Sequence, residues 1–106
     1  MDVIERIKDQ LDKNPVILYM KGTPDFPQCG FSGQTVQILE ACQAKYHAIN
    51  IFEDPELREA LKAYSNWPTY PQLYISGELI GGCDIVTSLY QQGELVKMLT
   101  AVDAVH

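Results

Sequence analysis

Hydrophobic positions fall into two rhythms along this chain, and their order predicts an architecture. Val3, Ile4, Ile7 and Leu11 share one helical stripe with Glu5, Arg6 and Asp9 off it, so a helix is expected over about residues 3 to 12, ending near Asn14-Pro15. Val16-Ile17-Leu18-Tyr19-Met20 is apolar at every position, the pattern of a strand buried on both faces. The stretch from Lys21 to Gln28, with Gly22, Pro24 and Pro27, reads as loop. From Phe31 onward Val36, Leu39, Cys42 and Gln43 recur in steps of three and four, predicting a helix to about Lys45.

The second half continues the alternation. Ala48 to Phe52 reads as a second strand, and Asp54-Pro55-Glu56 as a helix start with Leu57, Ala60, Leu61 and Tyr64 on its inner stripe. Gln72 to Ile75 and Glu78 to Ile80 flank Ser76-Gly77, a separation that predicts a hairpin. Gly81-Gly82 breaks the last strand. Asp84 is then expected to cap a closing helix bearing Ile85, Val86, Leu89 and Tyr90, with Gly93 ending or bending it. Strand-helix-strand pairs imply parallel neighbours joined by a right-handed crossover, and the hairpin adds antiparallel ones. The expectation is an α/β fold in three layers, built on a mixed four-stranded sheet flanked by helices.

Composition narrows the function classes. A length of 106 residues predicts one domain over 1–106, and 46% hydrophobic against 21% charged residues argues against disorder. No apolar run approaches the roughly 20 residues of a spanning helix. Met1-Asp2-Val3-Ile4-Glu5 lacks the basic start of a secretory leader, so a cytoplasmic location is expected. Eight basic against fourteen acidic residues give a net charge of -6 without a basic stripe, which argues against nucleic acid as a partner.

Three cysteines, Cys29, Cys42 and Cys83, exclude a fully paired disulfide framework. Cys29 falls where loop passes into helix, so free N–H groups and the positive end of the helix dipole should favour its thiolate. It is the candidate nucleophile or metal ligand, against a role as a small core hydrophobe. Cys42, on an apolar stripe, should pack. Cys83, between Gly82 and Asp84, is either a plain loop residue or a resolving thiol for Cys29. His47 and His106 are expected to face solvent, since no cysteine or histidine set has zinc-site spacing.

Two local features stand out. In Gln28-Cys29-Gly30-Phe31-Ser32-Gly33 a serine occupies the position of the second cysteine of a C-x-x-C motif, which rules out dithiol exchange within the motif. Trp67-Pro68-Thr69-Tyr70-Pro71-Gln72 sets two prolines immediately before a strand; Tyr70-Pro71 is either a cis bond that turns the chain or an ordinary trans one.

Cys29-Gly30-Phe31-Ser32, Trp67-Pro68-Thr69-Tyr70-Pro71-Gln72 and Gly81-Gly82-Cys83-Asp84, with Lys21 ahead of them, together resemble the monothiol glutaredoxins of the CGFS class over essentially the whole chain. The resemblance implies a thioredoxin-like fold, a cis bond before Pro71, and glutathione as ligand. It implies that Lys21 and Arg58 meet the glycine carboxylate of the tripeptide, that Tyr70 pairs through its main chain, and that Cys83 and Asp84 hold the γ-glutamyl end. A guanidinium can grip both oxygens of a carboxylate, and a helix start offers N–H donors to the other one.

A [2Fe-2S] cluster takes four ligands. The resemblance implies a homodimer in which two Cys29 thiolates and two glutathione sulfurs supply them, with a role in cluster transfer and iron homeostasis and with BolA-type proteins and apo iron-sulfur recipients as partners. The competing function is a glutathione-dependent oxidoreductase that deglutathionylates protein thiols through Cys29. The Gly22 to Gln28 loop resembles the class in which that activity is weak. A third reading is a redox switch formed by Cys29 and Cys83, which requires their sulfurs to reach bonding distance.

Overall fold

The computed structural model describes residues 2–106. Four strands, β1 (Val16–Met20), β2 (His47–Asn50), β3 (Gln72–Ile75) and β4 (Glu78–Gly81), form one sheet in the order β2-β1-β3-β4. β1 pairs with β2 in parallel and with β3 in antiparallel, and β3 pairs with β4 in antiparallel. Five helices accompany the sheet: α1 (Val3–Lys13), α2 (Gly30–Ala41), α3 (Pro55–Ser65), α4 (Cys83–Gln91) and α5 (Glu94–Ala101).

Side chains of a strand point alternately to its two faces, and β1 uses both. Val16, Leu18 and Met20 join Val36 and Leu39 of α2, Val86 of α4 and Leu95 and Leu99 of α5 in one core cluster. Ile17 and Tyr19 join Ile7 and Leu11 of α1 and Leu57 and Leu61 of α3 in the other. Helices on both faces explain why β1 has no polar position: every residue of it is buried.

Local chemistry sets the element ends. Asp2 caps α1 by accepting from the Glu5 N–H at 2.8 Å. Asp54 caps α3 by accepting from Leu57 at 3.1 Å, with Pro55 at the first helical position, and its other oxygen takes the Arg6 guanidinium at 2.6 Å. Ser76 and Gly77 both have positive φ, 52° and 77°, the two left-handed positions of a tight hairpin turn.

Four expectations are corrected. α2 stops at Ala41 rather than near Lys45. Gln43 turns left-handed, the Ala44 N–H reaches back to the Leu39 carbonyl at 3.0 Å, and Lys45 donates to Ala104 at 2.7 Å. The apolar rhythm runs on because Ala44 reaches the core from a turn. The second strand begins at His47 and ends at Asn50, where a 3-10 turn, Ile51–Glu53, takes over with the Asn50 side chain accepting from Phe52. α4 is capped by Gly82, so Cys83 and Asp84 both lie in its first turn. Gly93, at φ 75°, ends one helix and starts another, α5, whose Leu95 and Leu99 are fully buried.

Candidate functional site

β1, β2 and β4 run one way and β3 the other, so the carboxyl ends of three strands and the start of β3 share one edge of the sheet. The chain leaves β1 for α2 and β4 for α4 at that edge. Between these two helix starts lies a cleft of about 460 Å³. Lys21, Cys29, Tyr70, Cys83 and Asp84, all singled out from the sequence, line it.

Cys29 is the N-cap residue of α2, extended and partly exposed, and makes no side-chain hydrogen bond that caps the helix, so the N–H groups of the first turn stay open toward its sulfur. Its thiol is held below the ordinary cysteine range, first by the Ser32 N–H. Slight burial opposes the shift, while the Phe31 N–H, the Lys21 charge and the Ser32 hydroxyl add to it. The sulfur thus faces the open N–H groups of a helix start, as expected for a nucleophile or ligand.

Ser32 occupies the position of the missing thiol and is fully buried. Its hydroxyl oxygen accepts from the Lys21 N–H at 3.1 Å, tying the end of β1 to the first turn of α2. The loop between them closes on itself: Gln28 donates to the Lys21 carbonyl at 2.9 Å, and Thr23 and Phe26 exchange backbone hydrogen bonds. Gly22, at φ 90°, is required there, since a Cβ would come within 2.5 Å of the Phe26 oxygen and 2.6 Å of the Gln28 nitrogen.

The opposite wall is the segment before β3. The Tyr70-Pro71 bond is cis. Among the described residues the Tyr70 main chain has no backbone hydrogen-bond partner, although Tyr70 itself is buried. Buried Gln72 braces this segment, its Nε2 donating to the carbonyls of Trp67 at 3.1 Å and Thr69 at 3.3 Å, while its Oε1 accepts from the Tyr74 hydroxyl at 3.0 Å. The Trp67 Nε1 is buried without a hydrogen-bond partner among the described residues.

Arg58 does not line the cleft. Its guanidinium lies over the Phe52 ring at 5.4 Å, and its carbonyl accepts from the Tyr70 hydroxyl at 2.6 Å. Cys83 is buried in the cleft wall with its sulfur 3.9 Å from the Thr87 hydroxyl, and Asp84 is exposed. Cys42 packs in the core, where burial pushes its thiol up. His47 and His106 are exposed. All three cysteines are free.

Sequence reasoning missed Ser32 as a buried acceptor, Gln72 as the brace, and Phe31, Trp67 and Gly82 in the lining. The signal for Gln72 was present: a lone amide inside an apolar strand needs partners there. In the cleft lining Phe31 is 60% exposed and Ile85 is also exposed; Phe26, on the loop before α2, is 74% exposed. No described helix is long and apolar enough to cross a membrane.

The chain is similar in sequence and fold to known proteins. A glutaredoxin 4 from Pasteurella multocida is 47% identical over 98% of this chain and 95% of its own length, and one from Escherichia coli K12 is 51% identical over 91% and 84%. The solution structure of reduced poplar apo GrxS14 matches at 50% identity with a TM-score of 0.80, covering 95% of this chain and 96% of that one. The crystal structure of a buckwheat glutaredoxin-glutathione complex matches at 25% identity and a TM-score of 0.87, covering 98% and 93%. The fold is thioredoxin-like. With the glutaredoxin family profile matching residues 16–80 and relatives about half identical along nearly the whole length, the chain belongs to the glutaredoxin family.

Proposed function

We propose that this chain acts over residues 1–106 as a single-domain monothiol glutaredoxin of the CGFS class in the cytoplasm, binding glutathione beside Cys29 and carrying a [2Fe-2S] cluster shared between two chains. The observation that carries the reading is a lone activated thiol, Cys29, whose neighbour at the second motif position is a buried serine. Such a thiol has no partner within its motif, so a second sulfur comes from solution.

The cleft supports glutathione as its source. Of eight cations, Arg6, Lys13, Lys62 and Lys97 form ion pairs among the described residues. Lys21, in the cleft wall, and Arg58, outside it and over the Phe52 ring, form none there, and both are assigned here to the glycine carboxylate. The unpaired main chain of Tyr70 suits strand-like pairing with the tripeptide, and the start of α4 at Cys83 and Asp84 suits its γ-glutamyl end. The buckwheat neighbour was crystallised as a glutathione complex.

The cluster is cargo. In this reading one chain supplies Cys29, and no group of three or more His, Cys, Asp or Glu that could hold a metal ion is found among the described residues. Two chains and two glutathiones complete the four ligands. The exposed Phe31 and Ile85 of the cleft lining suit an interface with a second copy, a BolA-type protein or a recipient apoprotein.

Anaerobic reconstitution with iron, sulfide and glutathione, followed by visible absorption and sizing, tests this reading. A coloured dimer that requires both glutathione and Cys29 is expected. A colourless monomer that exchanges glutathione rapidly would favour the oxidoreductase reading, which the lowered Cys29 thiol also supports.

A further inference from the structure

Two consecutive N–H groups leave the end of β1, and each is taken by a side chain from a different element. The Lys21 N–H goes to Ser32 of α2 at 3.1 Å, and the Gly22 N–H goes to the Asn50 Oδ1 at 3.0 Å. Asn50 is the last residue of β2, directly across the parallel ladder from Met20. The same Oδ1 accepts from the Phe52 N–H, also at 3.0 Å. One carbonyl oxygen therefore ties the loop that begins at Lys21 to the 3-10 turn that carries Phe52.

Phe52 is exposed, and its ring carries the Arg58 guanidinium at 5.4 Å. A chain of contacts then runs from the Lys21-Gly22 segment through Asn50 to Phe52 and Arg58. Lys21 and Arg58 stand on different elements, β1's end and α3, and Asn50 is the group bonded to both of their immediate supports. The loop that starts there is held by its own hydrogen bonds, Gln28 to the Lys21 carbonyl and Thr23 with Phe26, so the Asn50 bond acts on a closed loop.

We propose that Asn50 is a positioning residue that fixes the spacing of Lys21, in the cleft wall, and Arg58, beside it on α3, and so sets the preference for a ligand whose terminal carboxylate stands one residue beyond its cysteine. This rests on the glutathione reading above. Its consequence is specific: Asn50 governs recognition of the glycine end of the tripeptide and leaves the γ-glutamyl end, held at α4, unaffected.

The experiment compares two disulfides, that of glutathione and that of γ-glutamylcysteine, which lacks the glycine. In each case the Cys29 thiolate attacks one sulfur, the ligand disulfide breaks as the mixed disulfide forms, and the released half takes up a proton as free thiol. Intact-mass measurement gives the equilibrium constant for each, and their ratio reports the glycine end. Wild type should favour glutathione. Asn50→Ala should lower that ratio about fivefold to tenfold, in keeping with the net strength of an ordinary hydrogen bond, with the γ-glutamylcysteine constant unchanged.

An equal fall in both constants, leaving the ratio intact, would overturn the positioning role. A wild-type ratio near one would instead sink the glycine-end assignment and the inference with it. If Asn50→Ala does not fold, Phe52→Leu, at an exposed site that keeps the N–H to Asn50, takes its place. A lowered ratio supports the chain of contacts, and an unchanged ratio overturns it.

Discussion

Replacing Ser32 with alanine separates the two jobs of that residue. The hydroxyl is buried and accepts from the Lys21 N–H at 3.1 Å, so Ser32→Ala leaves a backbone donor without its partner at the end of the central strand. An unsatisfied donor of this kind costs about 1–3 kcal/mol. For a domain of this size that corresponds to a melting temperature lower by about 4–15 °C, read by circular dichroism. The Cys29 thiol should behave differently. Its largest support is the Ser32 main-chain N–H, which alanine retains, and the hydroxyl is the smallest of the groups that lower it. The pH profile of alkylation by iodoacetamide should therefore move up only slightly and stay below that of an ordinary cysteine. Two results would refute this reasoning: an unchanged melting temperature, or a thiol that returns fully to ordinary behaviour, which would make the hydroxyl the dominant group.

Three further outcomes are expected. Gly33→Ala should raise stability by about 0.5–1 kcal/mol, because Gly33 is helical and an added Cβ meets Pro27 at ordinary contact distances of 3.5 and 3.6 Å; a lower melting temperature would contradict this. Gln72→Met, close in volume, strands the Trp67 and Thr69 carbonyls and the Tyr74 hydroxyl and should cost about 2–4 kcal/mol in urea unfolding, with weaker glutathione binding as the loop loosens. Cys29 has a folded-state pKa below its unfolded value, so its contribution to stability is complete above the unfolded pKa of about 8.5 and is lost as pH falls through the folded pKa. The melting temperature of wild type minus that of Cys29→Ser should accordingly rise with pH across this window, and a flat difference would count against a thiolate-favouring site.

Strong periodicity and strong punctuation made most of the fold legible. β1 announced itself by five apolar residues because helices cover both faces of the sheet, and α3 by an Asp-Pro-Glu start that both caps and dips into the first turn. Legibility failed where tertiary contacts end or start elements. α2 ends at Ala41 because the chain's last residues supply partners to the following turn, Ala104 to Lys45 and His106 to Gln43, and no local pattern encodes so distant a pairing. α5 was hidden by Gly93, which marks a helix end equally well whether or not another helix follows. In the candidate site, Lys21, Cys29, Tyr70, Cys83 and Asp84 were readable from motifs as cleft positions, but Phe31, Trp67 and Gly82 were not singled out, nor was Asn50, whose place depends on β2 lying beside β1, which sets its amide next to Gly22 across 28 residues of sequence.

The topology also accounts for thiol chemistry in an acidic protein. With β1 and β4 parallel to each other on either side of β3, each delivers its following helix to the same edge, so α2 and α4 both begin at the cleft. Two helix starts bring two sets of unpaired N–H groups and two positive dipole ends to one place, and Lys21 adds a full charge at the end of β1. These fields act within a turn or so of helix, whereas the net charge of -6 is spread over the surface and screened within about 10 Å at ordinary ionic strength. Near field outweighs far field at the Cys29 sulfur, which is why its thiol lies below the ordinary range despite the overall balance. By the same reasoning, charge substitutions on α5 or the outer face of α1 should leave Cys29 reactivity alone, while removal of the Lys21 charge should raise its thiol pKa; a Lys21→Gln variant with an unchanged alkylation profile would mean that the helix-start N–H groups act without it.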